Sequence, residues 1–126
     1  MRHKKILIFD EHRFARVCSA FLENAGYDAE IVTTLYGLPS SLDYEKVGLI
    51  ITSYPFGAPL LEEIRKRAIS TIILSDDIDE NLIPVLEEFS NSFCMMKPLD
   101  YEKFRSIIRE VMSGELNIHG GYHFVV

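Results

Sequence analysis

Short runs of consecutive aliphatic residues recur along the chain, and they constrain its fold more than any other feature. The clearest runs read ILIF, GLIIT and TIIL. A strand that is buried on both faces of a parallel sheet is apolar at successive positions, whereas a strand with one solvent-exposed face alternates between apolar and polar residues. We therefore predict parallel strands at residues 4–9, 27–33, 47–52, 71–74 and 93–96.

Between the predicted strands, apolar side chains recur every three or four residues, as they do on the buried face of a helix. The first predicted helix starts after Asp10 and Glu11, either of which can cap it, and stops at Gly26. A second segment at 34–46 is weaker, because a glycine and a proline interrupt it. Three more helices are predicted near residues 60–68, 82–89 and 101–112.

Alternating strands and helices predict an α/β fold. The expected architecture is a flavodoxin-like (βα)5 three-layer sandwich, with a parallel five-stranded sheet in the order 2-1-3-4-5 and helices on both faces. A chain of 126 residues, 48% of them hydrophobic, has enough apolar material for one domain and is too short for two ordinary ones. We place this domain at residues 1–114 and predict a tail at 115–126, where the pattern ends.

Charge and composition exclude several classes of function. The formal net charge of −6 is unsuited to direct binding of nucleic acid, whose phosphates need a basic face. No apolar stretch is long enough to span a membrane. The two cysteines, Cys18 and Cys94, are far apart and belong to apolar stretches, so we expect buried thiols in a soluble, cytoplasmic protein.

Polar residues follow the predicted strands at the points where chemistry gathers in an open parallel sheet. Asp10 and Glu11 follow the first strand, Ser53 the third, Ser75 the fourth and Lys97 the fifth. Two carboxylates, hydroxyls and a lysine on one edge of a sheet would form a site for a hard cation and a phosphate group.

The motifs ILIFDEHR, IILS and CMMKPLD, in this order and spacing, resemble the receiver domains of response regulators in two-component signalling. The resemblance covers roughly residues 4–113. It implies that Asp10 and Glu11 match the acidic pair that holds a magnesium ion. It also implies that Ser75 matches the hydroxyl that bonds the phosphoryl group, and that Lys97 with Pro98 matches the family's lysine–proline pair.

The chain departs from this family at its third strand. The family's strand ends in the aspartate that becomes phosphorylated, whereas GLIITS places Ser53 there, or Thr52 if the register differs by one. A serine hydroxyl is protonated at neutral pH and needs a general base, and the missing carboxylate removes a magnesium ligand. A second departure places Cys94 at the family's aromatic switch position. We therefore expect a degenerate site that binds Mg²⁺ weakly at best, through Asp10 and Glu11, and no other cofactor.

These residues predict a pseudo-receiver: a non-enzymatic signalling domain in a two-component phosphorelay that acts by protein–protein interaction without aspartate phosphorylation. Lys97 would pair with Asp10 or Glu11. The resemblance also implies a protein partner, such as a histidine kinase or an output protein, and a homodimer through the face of the fourth helix, fifth strand and fifth helix. One alternative is a working phosphotransfer receiver with an unconventional acceptor. The other is a flavodoxin-like small-ligand domain, which is disfavoured because no glycine-rich phosphate loop follows the first strand.

Overall fold

The computed structural model describes residues 4–33, 46–65, 67, 69–89, 92–114 and 122–125. Within them, a single sheet has the strand order β2-β1-β3-β4-β5-β6, and every pairing is parallel. The parallel sheet in the order 2-1-3-4-5 is thereby confirmed, and a sixth strand beyond β5 extends it. The strands are β1 (Lys5–Phe9), β2 (Ala29–Ile31), β3 (Val47–Ser53), β4 (Thr71–Ser75), β5 (Ser92–Met96) and β6 (Tyr122–Val125).

Helices connect the strands in the described residues. They are α1 (His12–Asn24), α2 (Ala58–Ile64), α3 (Leu82–Glu87) and α4 (Tyr101–Ser113). The segment predicted as a weak helix at 34–46 lies, up to residue 45, outside the described residues. In the part of the chain that the structure describes, no helix is long and apolar enough to cross a membrane.

Three helix ends follow their sequence signals. Gly26 follows α1 with φ +93°, and Gly114 ends α4 with φ +77°, both in the left-handed region that suits glycine. Asp100 caps α4 by accepting hydrogen bonds from the backbone N–H groups of the first turn. The start of α1 differs, because Glu11 occupies the cap position and no side chain there accepts a helix N–H. Glu11 is thus the N-cap residue, as one of the two expected alternatives, but its side chain does not make the cap hydrogen bond.

Both faces of the sheet are covered, which explains the continuous aliphatic runs. On one face, Ile6 and Ile8 of β1 pack in a cluster with buried residues of α1 and α4. On the other face, Leu7 and Ile50 belong to a cluster with buried residues of α2 and α3. Successive strand residues thus enter opposite cores, and the predicted three-layer arrangement is confirmed.

Candidate functional site

Four neighbouring strands bring the predicted site residues to one edge of the sheet. Asp10 directly follows β1, Ser53 and Ser75 are the last residues of β3 and β4, and Lys97 directly follows β5. Because these strands are parallel and adjacent in the order β1-β3-β4-β5, their carboxyl ends share one rim. We call Asp10, Ser53, Ser75 and Lys97 the rim residues.

The carboxylate of Asp10 lies at the centre of the rim, and its side chain is fully buried. Its Oδ1 accepts hydrogen bonds from the backbone N–H of Glu11 and from the hydroxyl of Ser53, both at 2.7 Å. Its Oδ2 lies 3.3 Å from the Nζ of Lys97. This contact is an ion pair without hydrogen-bond geometry, so Oδ2 has no hydrogen-bond partner in the described structure. Neutral and charged donors together offset the cost of burying the carboxylate.

Lys97 is held both through its backbone and through the ammonium of its side chain. Its backbone N–H donates to the carbonyl oxygen of Ser75 at 2.9 Å, which continues the pairing of β4 with β5. Its ammonium lies 4.6 Å from the centre of the Phe14 ring in α1, and the side chain is 21% exposed. A cation over an aromatic face gains roughly 0.5–2 kcal/mol. Asp10 and Phe14 therefore position the ammonium together. Of the two expected partners, Asp10 and Glu11, the lysine pairs with Asp10.

The hydroxyls of Thr52 and Ser53 point to different partners. Thr52 Oγ1 donates to the carbonyl oxygen of Phe9 at 2.7 Å, whereas Ser53 Oγ donates to Asp10. Successive residues of a strand project to opposite sides, so only one of the two hydroxyls can reach the carboxylate. Of these two residues, Ser53 is the one in contact with the rim carboxylate.

The turn after β3 folds back tightly onto the strand end. The backbone N–H of Gly57 donates to the carbonyl oxygen of Ser53 at 2.6 Å. A Cβ atom at Gly57 would lie 1.9 Å from Thr52 Oγ1 and 2.7 Å from the Ser53 carbonyl oxygen. The ring of Phe56 packs on that of Phe9, with centroids 5.1 Å apart. The close approach of the turn to the strand requires glycine at 57.

Ser75 is engaged with its own loop. Its hydroxyl donates to the carbonyl oxygen of Asp77 at 2.6 Å and lies 3.4 Å from the Asp77 backbone nitrogen. A short-range bond of this kind is common for a serine that ends a strand. The hydroxyl expected to bond a phosphoryl group is thus part of a local turn in this structure.

The described residues do not offer magnesium a ready site. Asp10 is buried with Oδ1 accepting two hydrogen bonds and Oδ2 facing an ammonium, while Glu11 is exposed. A hard cation needs six or more oxygen ligands, and in these residues no group of three or more His, Cys, Asp or Glu side chains could hold a metal ion. This donor set does not fit Mg²⁺, and weak binding at Asp10 and Glu11 stays a prediction.

The switch position lies inside the core. Cys94 in β5 pairs with Ile73 on one side and Phe124 on the other, and burial raises the pKa of its thiol to about 11. Phe93 belongs to the cluster on the opposite face of the sheet. Because strand residues alternate, the Phe93 ring projects away from the face that Cys94 occupies and cannot replace the missing aromatic residue there.

Sequence reasoning missed two contributors to the site. Phe14 lies at helical spacing with the other apolar residues of the first helix, which indicates a core residue, but its ring also contacts the Lys97 ammonium. Gly57 gave no signal of its own, because its role depends on the backbone of β3 lying against it.

Comparisons with known proteins concern structure alone, since no family model and no curated protein matches the sequence. A response regulator receiver protein from Pseudomonas putida superposes with a TM-score of 0.72 at 23% identity, over 87% of this chain and 98% of that one. A two-component response regulator from Clostridium difficile gives 0.73 at 19% identity, over 90% and 99%. A CheY-like receiver domain protein from Methanospirillum hungatei JF-1 gives 0.70 at 20% identity, over 89% and 95%. The chain therefore has the fold of response-regulator receiver domains.

Proposed function

We propose that the chain is a receiver-like signalling domain that binds a protein partner and does not form an aspartyl phosphate. The observation that carries the proposal is the hydrogen bond from Ser53 Oγ to Asp10 Oδ1. It places a hydroxyl, not a carboxylate, beside the acidic residue and the lysine at the rim. An acyl phosphate cannot form on a hydroxyl oxygen.

The charge balance of the rim supports the same proposal. Asp10 and Lys97 neutralise each other at 3.3 Å, and Ser53 and the Glu11 N–H occupy Oδ1. A second carboxylate at position 53 would leave two negative charges for one lysine, a balance that a divalent cation can restore. With serine, the rim is balanced without a metal, so the domain has no electrostatic need for one.

We propose further that the Asp10–Ser53–Lys97 network holds the rim in one arrangement. A switch needs a ligand that interacts differently with two states. Here Asp10 accepts a hydrogen bond from Ser53 and forms an ion pair with Lys97, and Ser75 is bonded to its own loop. Binding of the partner, such as a histidine kinase or an output protein, would then depend on how much of the domain and of the partner is present and accessible.

One experiment tests this proposal against its strongest rival. The full chain is incubated with a small-molecule phosphodonor and Mg²⁺, and its intact mass is measured beside that of the Ser53→Ala variant. We expect no gain of a phosphoryl group in either protein. A gain in the unmodified chain would contradict the proposal.

The rival is a receiver that accepts a phosphoryl group on Ser53, and one observation favours it. The Ser53 hydroxyl lies 2.7 Å from Asp10, which is within reach for a general base. In that step Oγ would bond to phosphorus, the donor's leaving group would depart, and the hydroxyl proton would pass to Oδ1 of Asp10. A gain of mass that survives acid and disappears in Ser53→Ala would establish this function. The small-ligand alternative has no comparable observation at the rim.

A further inference from the structure

β6 is paired with the sheet along one of its two edges, the inner edge that faces β5. β6 pairs with β5 in parallel register from Ser92 with Tyr122 to Met95 with Val125. The side chain of Tyr122 packs against the cluster on one face of the sheet, and that of Val125 packs against the cluster on the other. The outer edge of β5 is therefore occupied by a strand of the same chain. Among the described residues, no strand pairs with the outer edge of β6.

The two edges of the sheet differ in their protection. The β2 edge is three residues long and carries the exposed carboxylates of Asp28 and Glu30, the latter paired with Lys5 at 3.1 Å. Short length and charge are the usual means by which an edge strand avoids pairing with another chain. β6 reads YHFV, with no acidic residue, lysine, arginine or proline, and the side chain of Phe124 is exposed.

We propose that the outer edge of β6 pairs with β6 of a second copy of this chain, antiparallel about a two-fold axis. This interface does not depend on the function proposed above. The simplest register centres the axis between His123 and Phe124, so that Tyr122 lies opposite Val125 of the other copy and His123 opposite Phe124. Aromatic side chains opposite aliphatic or aromatic ones are favourable cross-strand pairs.

Charge favours the β6 edge over the β2 edge for pairing between two copies. Each chain carries a formal net charge of −6, so two copies repel each other over most orientations. Two β2 edges would place carboxylates opposite carboxylates, whereas two β6 edges bring together no acidic, lysine or arginine side chain. An isologous contact of this kind needs nothing except a strand that is complementary to itself.

The proposed interface differs from the one expected from the sequence, which stays a prediction. A homodimer through the fourth helix, fifth strand and fifth helix would use the flank of β5, but β6 lies along that flank. Four residues also make a short ladder, so the contact area is small and the dimer is weak and concentration-dependent.

The test is sedimentation velocity on the full chain at concentrations up to roughly 1 mM, where a weak association becomes visible. We expect the sedimentation coefficient to rise with concentration toward that of a dimer. Phe124→Lys adds a charge to the edge and should hold the protein as a monomer. Ile78→Lys is the matched control, because it makes the same kind of change at a side chain that is 52% exposed in the loop after β4, and it should still dimerise.

Hydrogen exchange on the unmodified chain is a second test, which does not depend on whether Phe124→Lys destabilises β6 itself. In the unmodified chain, the backbone amides of β6 should exchange more slowly as the concentration rises, while those of β2 should not change. A sedimentation coefficient that stays monomeric over the whole range, or β6 amides that are insensitive to concentration, would overturn the proposal. Equal dissociation of the Ile78→Lys control would overturn it as well.

Discussion

Replacing Lys97 with methionine removes the ammonium and keeps most of the volume of the side chain. The substitution leaves the Asp10 carboxylate fully buried, with only the Glu11 N–H and the Ser53 hydroxyl as donors. Losing one partner of a fully buried ion pair costs about 3–5 kcal/mol. Here Lys97 is 21% exposed and Asp10 retains two hydrogen bonds, so we expect a smaller loss of about 1–3 kcal/mol in the free energy of unfolding.

Urea unfolding followed by circular dichroism measures this loss, and a thermal melt should show a midpoint lowered by about 3–10 °C. Arg13→Met, at an exposed position of α1, is the control for removing a positive charge. A double-mutant cycle with Asp10→Asn should give a coupling of about 1–2 kcal/mol between Asp10 and Lys97. A Lys97→Met variant as stable as the unmodified chain, or a coupling near zero, would refute the view that this pair organises the rim.

Four further predictions concern Gly57, Ser53 and the two cysteines. Gly57→Ala should lower the free energy of unfolding by about 1–3 kcal/mol in urea titrations, because the new Cβ meets Thr52 and the Ser53 carbonyl; an unchanged midpoint would contradict the tight turn. Ser53→Asp should be less stable than Ser53→Ala without metal and should gain thermal stability when Mg²⁺ is added; a metal-independent melt of Ser53→Asp would speak against the charge-balance argument. Burial raises the pKa of Cys94 to about 11 and that of Cys18 to about 12, from an ordinary 9.0, so neither native thiol should react with an aromatic disulfide reagent at pH 8. Because these pKa values are higher in the folded chain, the stability that they contribute is fully present below pH 9 and is lost as the pH rises toward 11; a flat pH profile of unfolding above 9 would contradict this.

The sheet could be predicted from the sequence wherever both faces of a strand are buried. β1, β3, β4 and β5 are continuous apolar runs, and their bounds differ from the predicted ones by a residue at most. β2 is shorter than predicted, with three residues at an edge where, in the described part of the chain, β1 is its only partner. β6 was missed because YHFV has no strand periodicity of its own, and its pairing depends on the open flank of β5.

The rim was predictable as a set of positions but not as a set of bonds. Parallel strands bring their carboxyl ends together, which is enough to group Asp10, Ser53, Ser75 and Lys97. Two details depend on side-chain direction and on the register of β1 with β3. They are which carboxylate pairs with Lys97, and whether residue 52 or residue 53 faces that carboxylate. These are tertiary properties that a single sequence does not encode at short range.

Amide NMR shows whether the Asp10–Ser53–Lys97 network stays closed. Backbone ¹H–¹⁵N spectra of the full chain are compared before and after adding Mg²⁺ together with a phosphodonor. We expect the amide signals of Asp10, Ser53 and Lys97 to stay where they are. Saturable shifts at these three residues, spreading to α3, would show a rim that still binds and switches.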